Sequence, residues 1–258
     1  MSKRRTRIHK PQLAADMTGD EVARAVKVLN RSRYIAGLYK TYGQDLVTIL
    51  NEQRALHDDL TRRGIWCMFD DVEAELLYLF IREMGPSMAL EIGSGSGWST
   101  TWMLHALKST GGRLLSLDRD NNTPSFVPSG LAGDRWSFFR MDIRDAARES
   151  LAQLDFLLVD TDHQPHVIDW IIEHIFPLVR PGGRIAVHDV FALATPAHGE
   201  AVRIFRYLDR IGVRPYTPSR CFPASHRKIN GARREAGIDP DNLICPNKVN
   251  PLLVFDVP

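Results

Sequence analysis

Short apolar runs alternate with amphipathic segments through the middle of the chain. Five runs have the length of buried strands: 88–92, 113–117, 136–141, 155–159 and 184–187. Three segments between them have apolar residues at helical spacing: 99–109, 145–153 and 165–179. This alternation predicts a parallel sheet, because parallel strands need long crossover connections and those connections are usually helices.

The two ends of the chain follow other patterns. Helices are predicted to start at Thr18, which opens a capping-box sequence, and to cover about 43–60 and 71–84, where Gly85-Pro86 ends the last one. We expect residues 1–85 to form a basic tail and a helical cap outside the core, and 86–258 to form the α/β domain. After a helix predicted at 200–211, we expect a long loop at 214–248 and a final strand at 251–257.

Composition is that of an ordinary globular protein. The 258 residues are 44% hydrophobic and 25% charged, with a formal net charge of +2. No apolar run is long enough to span a membrane, so we expect a cytoplasmic protein without membrane contact. A basic cluster within the first ten residues fits a solvated tail better than a nucleic-acid site. The three cysteines are expected to be reduced thiols.

A glycine-rich turn follows the first predicted strand. Residues 91–97 read Glu-Ile-Gly-Ser-Gly-Ser-Gly, so the glycines are spaced G-x-G-x-G. A dinucleotide site uses G-x-G-x-x-G and places a pyrophosphate at the helix that follows. Glu91, two residues before the first glycine, would repel a pyrophosphate; it would attract an ammonium group or order the loop. The turn therefore favours a zwitterionic ligand without phosphate.

Acidic or polar residues end each predicted strand. They are Glu91, Asp118, Asp142, Asp160 and the pair His188-Asp189. In an open α/β sheet, ligands bind beyond the carboxyl ends of the strands, so these groups are expected to converge on one crevice. Asp118 is placed to accept hydrogen bonds from two ribose hydroxyls, with a solvated loop aspartate as the alternative. Asp142 is also expected to contact the ligand, and the alternative for this residue is a helix cap.

The chain resembles class I S-adenosylmethionine-dependent methyltransferases, whose first motif reads E-x-G-x-G-x-G as residues 91–97 do. Residues 155–163 and 181–189 are similar to the D-x-D-H and P-G-G-x-(apolar)-H-D patterns of bacterial small-molecule O-methyltransferases, the group that includes macrocin O-methyltransferase and cephalosporin-hydroxylase-like proteins. This resemblance covers about residues 87–190. It implies a Rossmann-like, doubly wound, seven-stranded and mostly parallel sheet with an antiparallel C-terminal strand.

The resemblance also implies a reaction and the residues that serve it. The reaction is O-methylation of a small-molecule or natural-product acceptor, and a homodimer is left open. The cofactor contacts are Glu91, Gly93, Ser94, Gly95, Gly97, Trp98, Ser99, Asp118, Asp142 and Asp160. The implied metal ligands are Asp160, His188 and Asp189, for Mg²⁺ or Mn²⁺; the histidine suits Mn²⁺, Fe²⁺ or Zn²⁺ better. Alternatively no metal binds, and His188 contacts Asp160 or the substrate.

Two residues compete as the base that deprotonates the acceptor. His163 occupies a position where related enzymes carry a lysine base, and an ordinary histidine titrates near neutral pH. Asp162 matches an aspartate proposed as the base in other relatives, and we prefer His163. The alternative for His163 is a histidine at a helix start that bonds its own loop.

Two other functions compete with methyl transfer. A nicotinamide-dependent oxidoreductase is disfavoured by the glycine spacing and by Glu91. A cofactor-binding partner protein without catalysis is disfavoured because Asp160, Asp162, His163 and Asp189 together keep convergent charges that an inactive site does not need. The sequence leaves the acceptor undetermined.

Overall fold

A six-stranded sheet organises the described part of the protein. The computed structural model describes residues 28–146, 151, 153–161, 164–190, 200–218, 223–246 and 252–258. The strands are β1 (Met88–Ile92), β2 (Arg113–Asp118), β3 (Trp136–Arg140), β4 (Leu154–Val159), β5 (Val179–Val187) and β6 (Leu253–Asp256). Their order in the sheet is β3-β2-β1-β4-β5-β6. The first five run parallel and β6 pairs antiparallel with β5.

Helices cover both faces of this sheet. They are α1 (Ser32–Arg62), α2 (Asp71–Met84), α3 (Trp98–Thr110), the short α4 (Ser129–Ala132), α5 (Pro165–His174), α6 (Glu200–Ile211) and α7 (Pro223–Glu235). One apolar cluster joins α1, α2, α3 and α7 to one face of the sheet. A second cluster joins α5 and α6 to the other face. Among the described helices, none has a stretch long and apolar enough to span a lipid bilayer.

The order of the strands reverses between β1 and β4. The chain proceeds from β1 outward to β2 and β3, and then returns to β4 on the other side of β1. A crevice opens at such a reversal, because the connections after the two central strands lead away in opposite directions. The turn that follows β1 and the residues that follow β4 therefore face each other across this crevice.

Most predicted elements of the α/β region are confirmed. The strands begin and end within one or two residues of the predicted positions, except that β5 begins five residues earlier, at Val179. The predicted helix at 165–179 ends at His174, and a 3-10 turn at Phe176–Leu178 connects it to β5. The helix predicted from Thr18, and most of the one predicted at 145–153, lie outside the described residues.

Two predictions about the helices are wrong. The second helix begins at Ser32 rather than at residue 43, and Gly43 lies in its interior. A Cβ on Gly43 would come 2.5 Å from the Cβ of Ala236, so this glycine permits close packing instead of marking a helix end. Residues 214–248 are not all loop, because α7 lies within them. The apolar side of α7 is narrow, and its sequence therefore resembles that of a polar loop.

The number of strands also differs from the prediction. The described residues form six strands rather than seven, and the place of a further strand is taken by isolated bridges from Tyr216 to Leu29 and to Val254. Pro215 and Pro218 flank this bridge on either side. Because proline has no backbone N–H, it cannot extend a ladder of hydrogen bonds.

The N-terminal helices share the core of the sheet. Glu75 on α2 accepts hydrogen bonds from Tyr39 Oη of α1 at 2.7 Å and from Arg233 Nε and Nη2 of α7 at 2.8 Å each. These three side chains are almost fully buried. A division of the chain at residue 85 stays a prediction, although the helices 32–84 bury their apolar side chains together with the sheet.

We expect Arg233→Ala to lower the free energy of unfolding by about 3 to 5 kcal/mol, because it leaves Glu75 buried without its cation. The control is Arg234→Ala on the same helix, which removes an exposed pair with Asp241 and is expected to cost less than about 1 kcal/mol. Urea denaturation measures both values. Equal losses for the two variants would contradict this role of the Glu75–Arg233 pair.

Candidate functional site

Three glycines shape the turn between β1 and α3. Gly93, Gly95 and Gly97 have φ values of 84°, 47° and 73°, in the region that other residues rarely adopt. A Cβ on Gly93 would lie 1.7 Å from the backbone oxygen of Asp160. The first glycine is therefore required for the close contact between the turn and the end of β4, where the strand order reverses.

Glu91 is fully buried behind this turn. Its carboxylate accepts hydrogen bonds from the hydroxyls of Ser99 and Thr100 on α3, at 2.6 and 2.7 Å, and of Ser116 on β2, at 2.6 Å. Burial raises the pKa of Glu91 to about 7, although the three hydroxyls act in the opposite direction. These contacts support the alternative that Glu91 orders the loop. A direct contact of Glu91 with a ligand stays a prediction.

Asp118 connects the end of β2 to the glycine turn. Its Oδ2 accepts hydrogen bonds from the backbone N–H groups of Ser94 and Gly95, both at 2.8 Å. Its Oδ1 accepts one from the N–H of Asp120 at 2.9 Å. The carboxylate is thus held at the mouth of the crevice by the same turn that β1 positions.

Two adjoining cavities form the crevice, and both are lined by Gly93, Asp118 and Asp160. The first leaves about 560 Å³ of space beside Asp142, Ile143 and Val167. The second leaves about 400 Å³ between the glycine turn and the side chains of Met68, Phe69 and Trp98. An elongated ligand can lie across both, with its middle at Asp118.

Asp142 and Trp98 have structural contacts of their own. Asp142 accepts hydrogen bonds from the backbone N, Nε and Nη2 of Arg144, and Arg144 lowers the pKa of this carboxyl group to about 2. This is the cap geometry that the sequence left as the alternative. Trp98 is buried and packs edge-to-face on Trp102, with ring centroids 5.7 Å apart. Their predicted contacts with a ligand remain predictions.

His188 lies beside Asp160, which lines the crevice, and is fully buried in a cage of carboxylates. Its Nδ1 is 3.2 Å from Asp160 Oδ1 and 3.2 Å from Asp189 Oδ1, and its Nε2 is 3.4 Å from Glu73 Oε2. Burial by itself lowers the pKa of His188, but Asp160 and Glu73 raise it well above its usual value. Burial raises the pKa of Glu73 to about 8, with His188 opposing.

The donor set around His188 fits a divalent metal. One ligand atom from each of Asp160, His188 and Asp189 can be chosen so that all three lie within 4.8 Å of one another. Two carboxylate oxygens and one imidazole nitrogen suit Mn²⁺, Fe²⁺ or Zn²⁺, whereas Mg²⁺ prefers oxygen ligands throughout. The same carboxylates would also stabilise the positive charge of a doubly protonated imidazole ring in place of a metal ion.

The sequence pattern did not indicate one residue of the cage, Glu73, as part of the site. Glu73 occupies the third position of α2, where its carboxylate also accepts a hydrogen bond from the N–H of Asp70 in a capping box. From the sequence alone, a glutamate at this position is a helix-cap residue. Its contact with His188 depends on how α2 packs against the end of β5. The predicted bases Asp162 and His163 lie outside the described residues.

Residues 90–190 match the model of a family described as a methyltransferase domain. The segment contains most of β1 and all of β2 to β5, the glycine turn and both residues that follow β5. The match confirms the resemblance drawn from the sequence, and the chain carries a methyltransferase domain over this span. Glu73 lies outside it. No curated protein sequence matches the chain.

Several solved structures share the fold. The O-methyltransferase TomG from Streptomyces achromogenes, solved in complex with SAM, has a TM-score of 0.54 at 15% identity, over 80% of this chain and 89% of that chain. An O-methyltransferase from Bacillus cereus, solved with SAH, has a TM-score of 0.52 at 18% identity, over 84% of this chain and 97% of that chain. At these identities the likeness concerns the fold.

We expect Glu91→Gln to remove one pH dependence of stability. The folded protein keeps the Glu91 proton up to about pH 7, whereas the ordinary pKa of this group is 4.5. The stabilisation from this proton is therefore complete below pH 4.5 and is lost as the pH rises through about 7. Over this window the variant should gain up to roughly 3 kcal/mol in unfolding free energy relative to the wild type.

Urea denaturation at a series of pH values measures this difference. Glu235→Gln, which changes an exposed carboxylate at the end of α7, is the control and should give a constant difference across the window. A constant difference for Glu91→Gln as well would show that the carboxylate behind the turn is already ionised at low pH.

Proposed function

We propose that this protein transfers a methyl group from S-adenosylmethionine to an oxygen atom of a small-molecule acceptor. The observation that carries the proposal is the crevice at the reversal of strand order, with the glycine turn at one end, Asp118 in the middle and the cage around His188 beside it. The methyltransferase-domain match covers the glycine turn, Asp118, Asp160, His188 and Asp189. Oxygen is chosen because the similar structures of TomG and of the Bacillus cereus protein are O-methyltransferases.

The two cavities suit the two halves of S-adenosylmethionine. In this proposal the methionine part lies along the glycine turn, with Gly93, Ser94, Gly95, Gly97 and Ser99 around it. The ribose hydroxyls bind Asp118, and the adenine lies beside Asp142. Because Asp118 also holds the N–H groups of Ser94 and Gly95, recognition of the ribose is coupled to the conformation of the turn. Asp160 contacts both cavities and lies closest to the reacting group.

The acceptor oxygen reacts faster after it loses its proton, and in this proposal the chain's own residues accept that proton. His163 is the proposed base and Asp162 the alternative, since general-base assistance contributes about 10²- to 10⁴-fold to such reactions. Asp160, His188 and Asp189 would hold a divalent metal. Such a metal supplies a Lewis acid that lowers the pKa of an acceptor hydroxyl. Phe69 stacks on the His188 ring at 3.9 Å and helps to exclude water there.

Binding of S-adenosylmethionine is the first test. We expect isothermal titration calorimetry to show binding of S-adenosylmethionine and S-adenosylhomocysteine but not of NADH. Asp118→Ala should weaken binding roughly tenfold or more, because a charge-assisted hydrogen bond contributes about 1.5 to 3 kcal/mol. Asp120→Ala, an exposed neighbour whose backbone alone contacts Asp118, is the control. Preferential binding of NADH would support the oxidoreductase alternative instead.

Methyl transfer is the second test, with labelled S-adenosylmethionine and a panel of phenol, sugar and carboxylate acceptors. We expect His163→Ala to lower turnover by about 10²-fold or more while cofactor binding is unchanged. The control is His166→Ala, an exposed histidine at the start of α5. Near-normal turnover in His163→Ala would assign the base elsewhere. Activity that survives loss of both His163 and Asp162 would indicate a carboxylate acceptor, which needs no base.

A further inference from the structure

Glu73 approaches His188 from a different element than the two aspartates do. Asp160 follows β4 and Asp189 follows β5, and both contact Nδ1 of the ring. Glu73 is on α2 and contacts Nε2. Each ring nitrogen of His188 therefore has its own carboxylate environment, and the environment of Nε2 is almost fully buried.

Packing holds the ring in this orientation. Phe69 lies against the face of the imidazole, with centroids 3.9 Å apart and an angle of 15° between the planes. The side chains of His188 and Glu73 are 0% and 2% exposed. A ring that is covered on its face and bounded by carboxylates at both nitrogens cannot exchange the two nitrogens without displacing Phe69 or Glu73.

A histidine binds a metal through one nitrogen, and the partner of the other nitrogen decides which one. A carboxylate that accepts the opposite N–H fixes the tautomer and makes the free nitrogen a stronger ligand. In the cage, Glu73 Oε2 lies 3.4 Å from Nε2, a buried nitrogen that has no hydrogen-bond partner among the described residues. Nδ1 faces the two aspartate oxygens that complete the donor set.

We propose that Glu73 is a positioning residue for a divalent-metal site formed by Asp160, His188 and Asp189. With Nδ1 bound to a metal, Glu73 would accept the Nε2–H, which has no hydrogen-bond partner in the described part of the chain, and so keep the Nδ1 lone pair directed toward the two aspartates. This inference rests on the metal site of the proposed function and adds to it a residue of α2, outside the segment that matches the methyltransferase domain.

A purely structural role for Glu73 has to be separated from this one. Glu73 is half of a capping box: its Oε2 lies 3.3 Å from the N–H of Asp70, while the Asp70 side chain accepts the N–H of Glu73 at 2.9 Å. Asp70→Ala removes the Asp70 side chain and leaves the Glu73 carboxylate opposite His188. It is therefore the matched control for loss of the cap.

The experiment is calorimetric titration of the full chain with Mn²⁺ after treatment with a chelator. We expect Glu73→Ala to weaken Mn²⁺ binding about 10- to 100-fold. Glu73→Gln, whose amide oxygen still accepts the Nε2–H, should stay closer to the wild type. Asp70→Ala should lower the denaturation midpoint while its Mn²⁺ affinity stays within about twofold of the wild type. The visible spectrum of bound Co²⁺ should change in Glu73→Ala and remain unchanged in Asp70→Ala.

Two results would overturn the inference. One is a wild-type protein that binds none of Mn²⁺, Co²⁺ and Zn²⁺, and the other is a folded Glu73→Ala variant with wild-type affinity. If Glu73→Ala does not fold, Glu73→Met, which fills similar space without an oxygen acceptor, is compared with Asp70→Ala in its place. Either result leaves the proposed function standing if the same wild-type protein binds S-adenosylmethionine and transfers methyl groups. Absence of S-adenosylmethionine binding would refute the proposed function itself.

Discussion

A buried carboxylate connects the elements on which the candidate site depends. Glu91, at the fourth position of β1, accepts hydrogen bonds from Ser99 and Thr100 of α3 and from Ser116 of β2. Ser116 also accepts one from the indole N–H of Trp136 on β3. One side chain thus fixes the direction in which α3 leaves the glycine turn. With α3 held in this way, the turn keeps its close contact with the end of β4.

The burial of Glu91 changes the electrostatic effect that this residue is expected to have on a ligand at the glycine turn. Glu91 is buried behind the turn, and its oxygens accept hydrogen bonds from three hydroxyls. The glycine spacing therefore disfavours a dinucleotide more strongly than repulsion by Glu91 does. The carboxylates that line the crevice are Asp118, Asp142 and Asp160, near the points where the strands end.

Asp118 in the crevice and His188 beside it have different surroundings. At Asp118 the carboxylate is held by backbone N–H groups and is accessible from both cavities. At His188 the imidazole is sealed by Phe69 and by carboxylates on both edges. The first environment suits recognition of polar hydroxyl groups. The second concentrates negative charge in a buried volume, which is stable only when a proton or a metal cation neutralises part of it.

The local sequence pattern was enough to predict the strands, the glycine turn and the acidic residues at the strand ends. These features depend on hydrophobic periodicity and turn chemistry, which involve only a few neighbouring residues. Other features depend on residues distant in the chain. Gly43 is required by its contact with Ala236, and α7 is held by the pair of Arg233 with Glu75 across 158 positions. Glu73 looks like a helix cap in sequence, and only the packing of α2 against the end of β5 brings it to His188. Side-chain environments of this kind are decided by tertiary contacts, which no local pattern encodes.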